Sequence, residues 1–447
     1  MAFRGHDGPA IRSRRGFLRG LAAGAAAASA ASELMAEPAA ASLRALRLAA
    51  GEPTEAEYWA RVREEFLCGE AIAYMNNGTL GPTPKPVYYT LIEKYRAIAT
   101  DPGVVNPQQE KQAEAVRQKA AAFVGADPDE IALTHNTTEG MNFVANGLDL
   151  KAGDEILLTF HEHPGGLQPW KLRAKRSGVV LKQLKFPIPT ADPAQIVQVF
   201  ADAITPSTRV ISVSHMMFQT GGGVPVKELA ALARSKGILS LVDGAHPLGM
   251  MRLDLHDMGA DFYAMSPHKW LDAPTGTGLL YLRREAQARL WPTIATTGWD
   301  NESKGAARYD RLSQRAWPLV LCTGAALDFQ EAIGRERIES RVRQLAGYLR
   351  RRLHELPEVK ILTSSHPALH CGLTGFEMAG FGNRDVVETL LRRHHVRVRY
   401  TEDGYNTVRV STHYYNTEEH VDRVIEGLRE IPKRGVIPAP PKAAAAD

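Results

Sequence analysis

The sequence contains little cysteine, little excess charge and no long apolar run. Its 447 residues include 3 cysteines, which are far apart and form no C-x-x-C pair. We therefore expect neither a disulfide framework nor a cysteine-based metal site. The formal net charge is +4, and the first 32 residues hold five arginines against one aspartate, which leaves the rest of the chain formally neutral. That balance favours neither nucleic acid nor an anionic membrane surface as a partner.

The N-terminal segment resembles a twin-arginine export signal. Residues 13–19 read S-R-R-G-F-L-R and are followed by a run rich in alanine and glycine. Alanine and glycine are weak membrane anchors, so we expect no stable membrane insertion. The resemblance implies a signal peptide over residues 1–36, cleaved between Ala30 and Ala36, a transient contact with the twin-arginine translocase, and a periplasmic or secreted protein. That route carries folded proteins, which suits a chain that closes around a cofactor.

From about residue 130, short apolar runs alternate with amphipathic stretches. The runs at 130–134, 155–160, 179–184, 209–215 and 238–243 predict strands, and 137–148, 167–177, 192–203 and 226–236 predict helices. This alternation is typical of an α/β fold with a mostly parallel sheet covered on both faces. After about Gly298 the pattern predicts one long helix over Ala325–Leu356. Short strands at 359–363, 396–400 and 407–411 then indicate a smaller α+β domain.

The pattern divides the chain into five parts. We expect the signal peptide over 1–36, an N-terminal arm over 37–90, a large cofactor-binding domain over 91–305, a small C-terminal domain over 306–435 and a disordered tail over 436–447. Residues 37–57 are rich in alanine, proline and glutamate and are typical of a linker.

Polar residues follow the predicted strands, and ligands bind beyond the carboxyl ends of parallel strands. Two kinds of site fit the polar residues that follow these strands. A metal site could use His161, His163, His246, His268 and Asp243. A pyridoxal 5′-phosphate (PLP) site needs a lysine, a carboxylate for the pyridine nitrogen, a flat group over the ring and a phosphate cradle at a helix N-terminus. The metal interpretation leaves Lys269 and the N-T-T-E-G run at 136–140 without a role, whereas the PLP interpretation uses both.

The run V-D-G-A-H-P-L-G at 242–249, continuing to S-P-H-K-W at 266–270, resembles class V aminotransferase-fold enzymes. The resemblance is strongest to proteins like isopenicillin N epimerase and extends to cysteine desulfurases and kynureninases. It continues in N-N-G-T-L-G-P-T-P (76–84) and in segments 136–148, 161–170 and 408–428. It implies a PLP-dependent transferase fold of the aspartate aminotransferase kind (fold type I), with a homodimer as the assembly.

The resemblance implies a role for each of eleven residues. Lys269 matches the Schiff-base lysine, Asp243 the partner of the pyridine nitrogen, and His163 the histidine stacked on the ring. The remaining cofactor contacts would come from Thr137, Thr138, Ser266, His268, His246 and Gln219. Arg409 matches the arginine that binds the substrate carboxylate, and Arg399 would assist it.

The sequence departs from the desulfurase pattern in three places. The loop Y-T-E-D-G-Y-N-T-V (400–408) has no cysteine, which argues against a persulfide mechanism. Phe218 replaces an asparagine that contacts the cofactor, and Gln219 is the candidate replacement. The partner-chain phosphate contact of the family falls at Leu312, Ser313 or Gln314.

The resemblance implies an enzyme that acts on the amino-bearing carbon of an amino acid or peptide, as in periplasmic tailoring of a secreted peptide. Transamination and epimerisation both remain open at this point. Epimerisation asks for a second proton donor, for which His246 or a tyrosine is a candidate. A C–S lyase without the persulfide cysteine and a PLP-fold protein that only binds a ligand are the alternatives.

Overall fold

The computed structural model describes residues 54–69, 71–402 and 404–441. The predicted signal peptide, residues 37–53 of the predicted arm, and residues 442–447 of the predicted tail lie outside the described residues. In the part of the chain that is described, no helix combines the length and the apolar character that a bilayer crossing requires.

An alternation of strands and helices runs from residue 131 to residue 282. The strands are β2 (Ile131–Thr134), β3 (Glu155–Thr159), β4 (Val180–Leu184), β5 (Thr208–Ser214), β6 (Leu239–Gly244), β7 (Phe262–Met265) and β8 (Gly278–Leu282). The helices before and between them are α1 (Glu55–Glu64), α2 (Lys85–Thr100), α3 (Pro102–Val124), α4 (Thr137–Gly147), α5 (Pro164–Ser177), α6 (Pro193–Ala203), α7 (Val226–Ser235) and α8 (Leu255–Met258). A short strand, β1 (Ala73–Tyr74), lies between α1 and α2.

The seven strands from β2 to β8 form one sheet in the order β2-β8-β7-β6-β5-β3-β4. All neighbouring pairs are parallel except the two pairs made by β8, with β2 and with β7. The predicted mostly parallel α/β sheet is therefore confirmed. The carboxyl ends of β3, β5, β6 and β7 lie along one edge, and the loops that leave them carry the predicted site residues.

Helices cover both faces of this sheet because alternate residues of a strand point to opposite faces. In β7, Tyr263 and Met265 belong to one buried cluster, and Phe262 and Ala264 belong to the other. The first cluster includes apolar residues of α3 and α7, and the second includes residues of α4 and α5. The sheet is thus buried on both sides, which fixes the direction in which the strand ends present their loops.

The C-terminal part builds a smaller α+β unit. Its elements are α9 (Trp317–Ile333), α10 (Arg335–Leu353), β9 (Val359–Ile361), β10 (Leu373–Met378), α11 (Asn383–His394), β11 (Val396–Arg397), β12 (Arg399–Thr401), β13 (Thr407–Ser411) and α12 (Glu418–Arg434). An antiparallel sheet has the order β12-β13-β10-β9, while β11 pairs with β1.

The structure corrects two predicted elements in this part. The single long helix predicted over Ala325–Leu356 is two helices, because Gly334 between α9 and α10 has a left-handed φ of 100°. The strand predicted over 396–400 is also divided. Its first residues pair with β1, and its last pair with β13. Val398, between them, is buried.

The two ends of the described chain contact the rest of the molecule. Residues 55–57, assigned to a linker, begin α1, and Tyr58 and Trp59 in this helix are buried in a core cluster. The predicted disordered tail begins at 436, yet Ile437 and Ala439 donate backbone hydrogen bonds to side chains of α11, at 2.7 and 2.8 Å. The boundaries of the large and small domains stay a prediction. Helix α9, beyond the predicted boundary at 306, packs into the core of the large sheet.

Candidate active site

Lys269 lies in the turn that follows β7. Its N–H donates to the carbonyl of Ser266 at 3.1 Å, and the carbonyl of His268 accepts the N–H of Gly81 at 2.9 Å. A Cβ on Gly81 would lie 2.0 Å from the Lys269 carbonyl oxygen, so the 76–84 segment needs glycine there to pack against this turn. Burial lowers the pKa of Lys269 to about 8, and the nearby arginines add to the effect, while the Asp243 carboxylate opposes it.

Asp243 is buried at the end of β6, where its Oδ1 accepts the N–H of Ala245 at 3.0 Å. Burial raises the pKa of this carboxyl, and the charge of Lys269 works in the opposite direction. A buried carboxylate is costly unless a cation is paired with it. The carboxylate lines the same cavity as Lys269, so a protonated pyridine nitrogen bound there would supply that cation.

His163 begins α5 and caps it, because its Nδ1 accepts the N–H of Gly165 at 3.0 Å. The ring is open to the cavity, although it lies deep enough for burial to lower its pKa to about 4. It is therefore neutral, with its proton on Nε2. The ring of Phe218 meets it edge to face, with the ring centroids 5.0 Å apart. These contacts hold the imidazole as a flat wall of the cavity.

The N-terminus of α4 forms an anion cradle beside these groups. Asn136 caps the helix by accepting the N–H of Glu139 at 2.9 Å. The hydroxyl of Ser266 accepts the N–H of Thr137 at 3.2 Å and lies 2.8 Å from its Oγ1. Thr138 and His268 also line the cavity. Helix N-termini with free N–H groups favour phosphate, so this end of the cavity fits the cofactor phosphate.

Arg409 is buried on β13 and lines the same cavity. Its guanidinium donates to the carbonyl of Phe218 at 3.0 Å, to Oδ1 of Asn76 at 3.1 Å and to Oγ1 of Thr79 at 2.8 Å. These three partners are neutral, so they orient the guanidinium group of Arg409 without neutralising its positive charge. Burial lowers the pKa of Arg409, and the charge of Arg399 adds to the effect. A carboxylate bound here would restore charge balance.

The structure brings nine of the eleven predicted site residues to one cavity of about 320 Å³, namely Thr137, Thr138, His163, Asp243, Ser266, His268, Lys269, Arg399 and Arg409. It leaves out Gln219 and His246. The Gln219 amide points to the 401–407 hairpin, where a Cβ on Gly404 would lie 3.4 Å from its Nε2. His246 is buried behind the lining and accepts a hydrogen bond from Trp270. Phe218, rather than Gln219, lines the cavity.

Sequence reasoning missed the residues that orient Arg409. Asn76 and Thr79 belong to the segment 76–84, which was singled out as a motif but given no chemical role. The sequence-based prediction also gave no role to Glu162. This residue is buried and accepts hydrogen bonds from the hydroxyls of Thr159 at 2.5 Å and Ser214 at 2.7 Å. Burial raises the pKa of Glu162 to about 7, and the charge of Asp243 adds to this. Its position in the loop that follows β3 was the available signal.

The structure does not gather the histidines of the metal interpretation. Within the described residues, three possible ligand atoms come within 4.8 Å of one another only at Asp127, Glu130 and His256, in another part of the large unit. There, Nε2 of His256 already contacts Glu130 at 2.5 Å, and Arg284 binds Asp127 at 2.8 Å. The metal interpretation is thus not supported by the described residues, whereas the lysine, the carboxylate and the helix N-terminus that line the cavity fit PLP.

Comparisons with known proteins agree with the donor set of the cavity. The aminotransferase class-V family model matches residues 73–424. The isopenicillin N epimerase of Amycolatopsis lactamdurans is 33% identical over 394 residues, covering 84% of this chain and 99% of that protein. A probable cysteine desulfurase of Methanothermobacter thermautotrophicus is 30% identical over 389 residues, covering 81% and 95%.

A solved structure is similar over most of the chain. It is a lysine-to-alanine mutant of C-DES with glycine covalently linked to the PLP cofactor. It superposes with a TM-score of 0.74 at 27% identity, covering 82% of this chain and 98% of that chain. The range matched by the family model contains every residue that lines the cavity.

Proposed function

The chain belongs to the aminotransferase class-V family, and we propose that it is an epimerase acting on the amino-bearing carbon of an amino acid or peptide. One observation carries the proposal. A half-buried lysine with a lowered pKa, a buried carboxylate and an oriented arginine line the same cavity. These are the groups needed to remove a proton from Cα of a substrate held by its carboxylate.

The cofactor is pyridoxal 5′-phosphate, and the residues present fit it. Lys269 would hold it covalently, Asp243 would bind the ring nitrogen, His163 would cover the ring, and the N-terminus of α4 with Ser266 would bind the phosphate. When bound, PLP withdraws electrons from the substrate amine and makes the Cα proton acidic. The remaining requirements fall on side chains of this chain.

Lys269 is the proposed base. Its Nζ must be neutral to accept the Cα proton, and a pKa of about 8 makes a substantial fraction neutral near physiological pH. Arg409 orients the substrate by binding its carboxylate with two N–H groups. The large and small units together enclose the cavity, because Arg409 and Arg399 come from β13 and β12 while Lys269 and Asp243 come from the large sheet.

Two observations bear on the fate of the proton. The epimerase relatives span nearly their whole length on this chain, which supports its return to the opposite face of Cα. That return needs a second donor. No tyrosine is among the described residues that line the cavity, and His246 lies behind the lining. His163, with its Nε2–H, is the candidate donor in the lining.

Transamination is the second candidate. It needs one base only, and Lys269 is the single amine among the described lining residues. A desulfurase reaction through a cysteine persulfide is not supported, because none of the three cysteines lines the cavity. Burial raises the pKa of Cys68 to about 11 and the pKa values of Cys322 and Cys371 to about 12, so none is an activated thiolate.

The test is a substrate screen in heavy water. The purified, PLP-loaded protein is incubated with amino acids and short peptides, and products are followed by NMR and chiral chromatography. Solvent deuterium at Cα of an inverted product supports the epimerase, and a keto product supports the transaminase. Pyruvate released together with sulfide or a persulfide from a sulfur-containing amino acid would support C–S lysis. The Lys269→Ala variant is the control, and if it exchanges as fast as the wild type, the proposed base is wrong.

We also propose that the enzyme acts outside the cytoplasm and as a homodimer. The first proposal is supported by the twin-arginine motif at residues 13–19, and the second by the position of Ser313 and Gln314 in an exposed segment before α9. A non-catalytic PLP-binding protein is the outcome if the loaded protein exchanges no Cα proton of any amine tested.

A further inference from the structure

Asp272 lies in the loop between β7 and β8, three residues after Lys269, and its place in the structure is unfavourable in two ways. Its side chain is fully buried, and its φ of 61° is left-handed, a conformation that favours glycine. In the described part of the chain, the only other residue that is not glycine and has such a φ is His395. Glycine would remove both penalties. The contacts of the Asp272 carboxylate must therefore offset them.

Three buried side chains surround this carboxylate. Nδ2 of Asn77 donates to Oδ1 at 3.2 Å, the hydroxyl of Tyr414 donates to Oδ2 at 2.9 Å, and Nε2 of His413 lies 3.3 Å from Oδ2. Nε2 of His413 also lies 3.3 Å from the carbonyl oxygen of Trp270, so both of its neighbours are acceptors and this nitrogen carries a proton. Burial raises the pKa of Asp272, and the contacts with His413, Tyr414 and Asn77 oppose this. They stabilise the carboxylate where it is buried.

The donors belong to two segments that hold Arg409. Two of them follow β13, the strand that carries Arg409. The third, Asn77, belongs to the segment 76–84, which orients the Arg409 guanidinium through two hydrogen bonds. Nδ2 of Asn77 also lies 3.4 Å from the carbonyl oxygen of Lys269. The carboxylate of Asp272 is therefore the point where the loop of Lys269 meets both segments.

Asp272 acts on Lys269 through the backbone rather than through its charge. It does not line the cavity, and the pKa of Lys269 responds to burial, to Asp243 and to two arginines. The N–H of Ala273, the next residue, donates to the carbonyl of Pro267 at 3.2 Å and closes the loop that carries Lys269. Fixing Asp272 therefore fixes this loop.

We propose that Asp272 is a positioning residue that holds the loop of Lys269 against the strand of Arg409. The Lys269 amine then keeps a fixed place relative to a carboxylate bound by Arg409. This inference rests on the proposed function, because it takes Lys269 to hold PLP and Arg409 to bind the substrate carboxylate. It does not depend on whether the reaction is epimerisation or transamination.

The first experiment uses two reagents that displace Lys269 from the PLP-loaded protein. The O–NH2 group of each reagent forms a C=N bond to the aldehyde carbon of the cofactor, Lys269 leaves as a free amine, and visible absorbance follows the rate. Aminooxyacetate carries a carboxylate and methoxyamine does not. The ratio of their rates, corrected for their reactivity with free PLP, reports how well a carboxylate at Arg409 is aligned with the bond to Lys269. We expect a ratio of at least about 10, as for charged hydrogen bonds. In Asp272→Asn and Asp272→Gly the ratio falls towards one, because the aminooxyacetate reaction slows.

The variants separate positioning from a purely structural role. Asp272→Gly satisfies the left-handed backbone without strain, so only the loss of the carboxylate contacts can lower its ratio. Asp261→Asn is the matched control and keeps the wild-type ratio, because Asp261 is also buried and accepts a hydrogen bond from Arg283 at 2.9 Å but lies immediately before β7, at the end away from Lys269. Tyr414→Phe removes one donor, keeps the ring and lowers the ratio by about 2- to 3-fold. A wild-type ratio in Asp272→Gly, or in Tyr414→Phe where neither Asp272 variant folds, overturns the inference.

A second experiment measures the covalent attachment of PLP to Lys269 in the cofactor-free protein. We expect attachment to be at least about 10-fold slower in Asp272→Gly, because the amine is no longer held in place, and to keep the wild-type rate in Asp261→Asn. A ratio of one for the wild type in the first experiment overturns the role of Arg409 in the proposed function. The attachment rate then decides the inference: a slower rate in Asp272→Gly supports the placement of the lysine loop by Asp272, and an unchanged rate overturns it.

Discussion

The indole N–H of Trp270 donates a hydrogen bond to Nδ1 of His246 across 3.2 Å, behind the lining of the cofactor cavity. An indole can only donate, so Nδ1 of His246 carries no proton and the ring proton is on Nε2. Burial holds the pKa of His246 well below its usual range. His246 is therefore a neutral N–H donor with a fixed tautomer. His246 differs from His163, the candidate second proton donor, in its position, because His163 lines the cavity and His246 does not.

Replacing Trp270 with phenylalanine keeps an aromatic ring and removes the donor. We expect the tautomer of His246 to become mixed, which is measured by the nitrogen NMR shifts of labelled histidine. Because Nδ1 is left buried without its partner, we also expect the free energy of unfolding to fall by about 1–3 kcal/mol. Trp291→Phe, at an exposed tryptophan, is the matched control. An unchanged histidine spectrum in Trp270→Phe contradicts the assignment.

The second prediction concerns the pH at which the cofactor attaches. Only the neutral amine of Lys269 reacts with the PLP aldehyde, and burial lowers the pKa of that amine from 10.5 to about 8. The rate of covalent attachment to the cofactor-free protein should therefore rise with pH and level off above about 8, as followed by visible absorbance. Lys269→Ala should show no covalent attachment. A rate that keeps rising to pH 10 would mean that Lys269 has the pKa of an exposed lysine.

The sequence predicted the large sheet well because its signal is local. Strands of β-branched and apolar residues alternate with amphipathic helices, and the polar residues that follow each strand necessarily meet at one edge. Lys269 and Asp243 could be found in this way, because Asp243 lies at the end of one buried strand and Lys269 lies in the turn after another. The same reasoning could not place the side chain of Gln219, because it and Phe218 are neighbours in a loop and point in different directions.

The small unit was predicted less well because its structure depends on contacts between distant segments. The division of residues 396–400 between two sheets follows from pairing with β1, more than 300 residues earlier in the chain. The break at Gly334 could have been predicted from the glycine, but the apolar pattern continues on both sides of it.

The third prediction tests Asp243. Asp243→Asn keeps the shape of the side chain and removes its charge. If this carboxylate keeps the ring nitrogen of the cofactor protonated, kcat should fall by at least about 100-fold, as when a preorganised charge is removed from an active site. Retention of the cofactor is measured by absorbance, so a lost rate can be separated from lost binding. Asp257→Asn, at an exposed aspartate of α8, is the control and should keep the wild-type rate. A wild-type rate in Asp243→Asn would mean that another group protonates the ring.

The fourth prediction concerns export and tests residues 13–19, which lie outside the described residues. Arg14→Lys combined with Arg15→Lys preserves the charge and removes the guanidinium pair. We expect this variant to fold, to bind PLP and to stay in the cytoplasm, as measured by cell fractionation and immunoblotting. Arg4→Lys combined with Arg12→Lys is the matched control and should leave export unchanged. Export of the first variant at the wild-type level would refute the signal.

The fifth prediction concerns a site shared between two chains. Ser313 and Gln314 are exposed, in a segment between the large sheet and α9, and Gln314 is oriented by a 3.2 Å hydrogen bond from Asn106. The exposed side chains of Trp291, Ile294 and Trp299 lie shortly before it in sequence. Aromatic residues are enriched at interfaces, and two-fold dimers are the commonest oligomers. We expect Ser313 or Gln314 of one chain to approach the phosphate bound by the other.

Complementation tests this arrangement directly. Lys269→Ala chains are mixed with chains that carry Ser313→Glu and Gln314→Glu, whose added charge repels the phosphate. A mixed dimer has one complete site. It combines Lys269 of the chain that carries the two glutamates with the unchanged Ser313 and Gln314 of the Lys269→Ala chain. After free exchange of subunits, an equal mixture should regain about a quarter of the wild-type activity, since half of the dimers are mixed. Exchange is checked with labelled chains. If labelled chains exchange and no activity returns, the sites are not shared, and a fully active monomer in sedimentation would exclude the dimer as well.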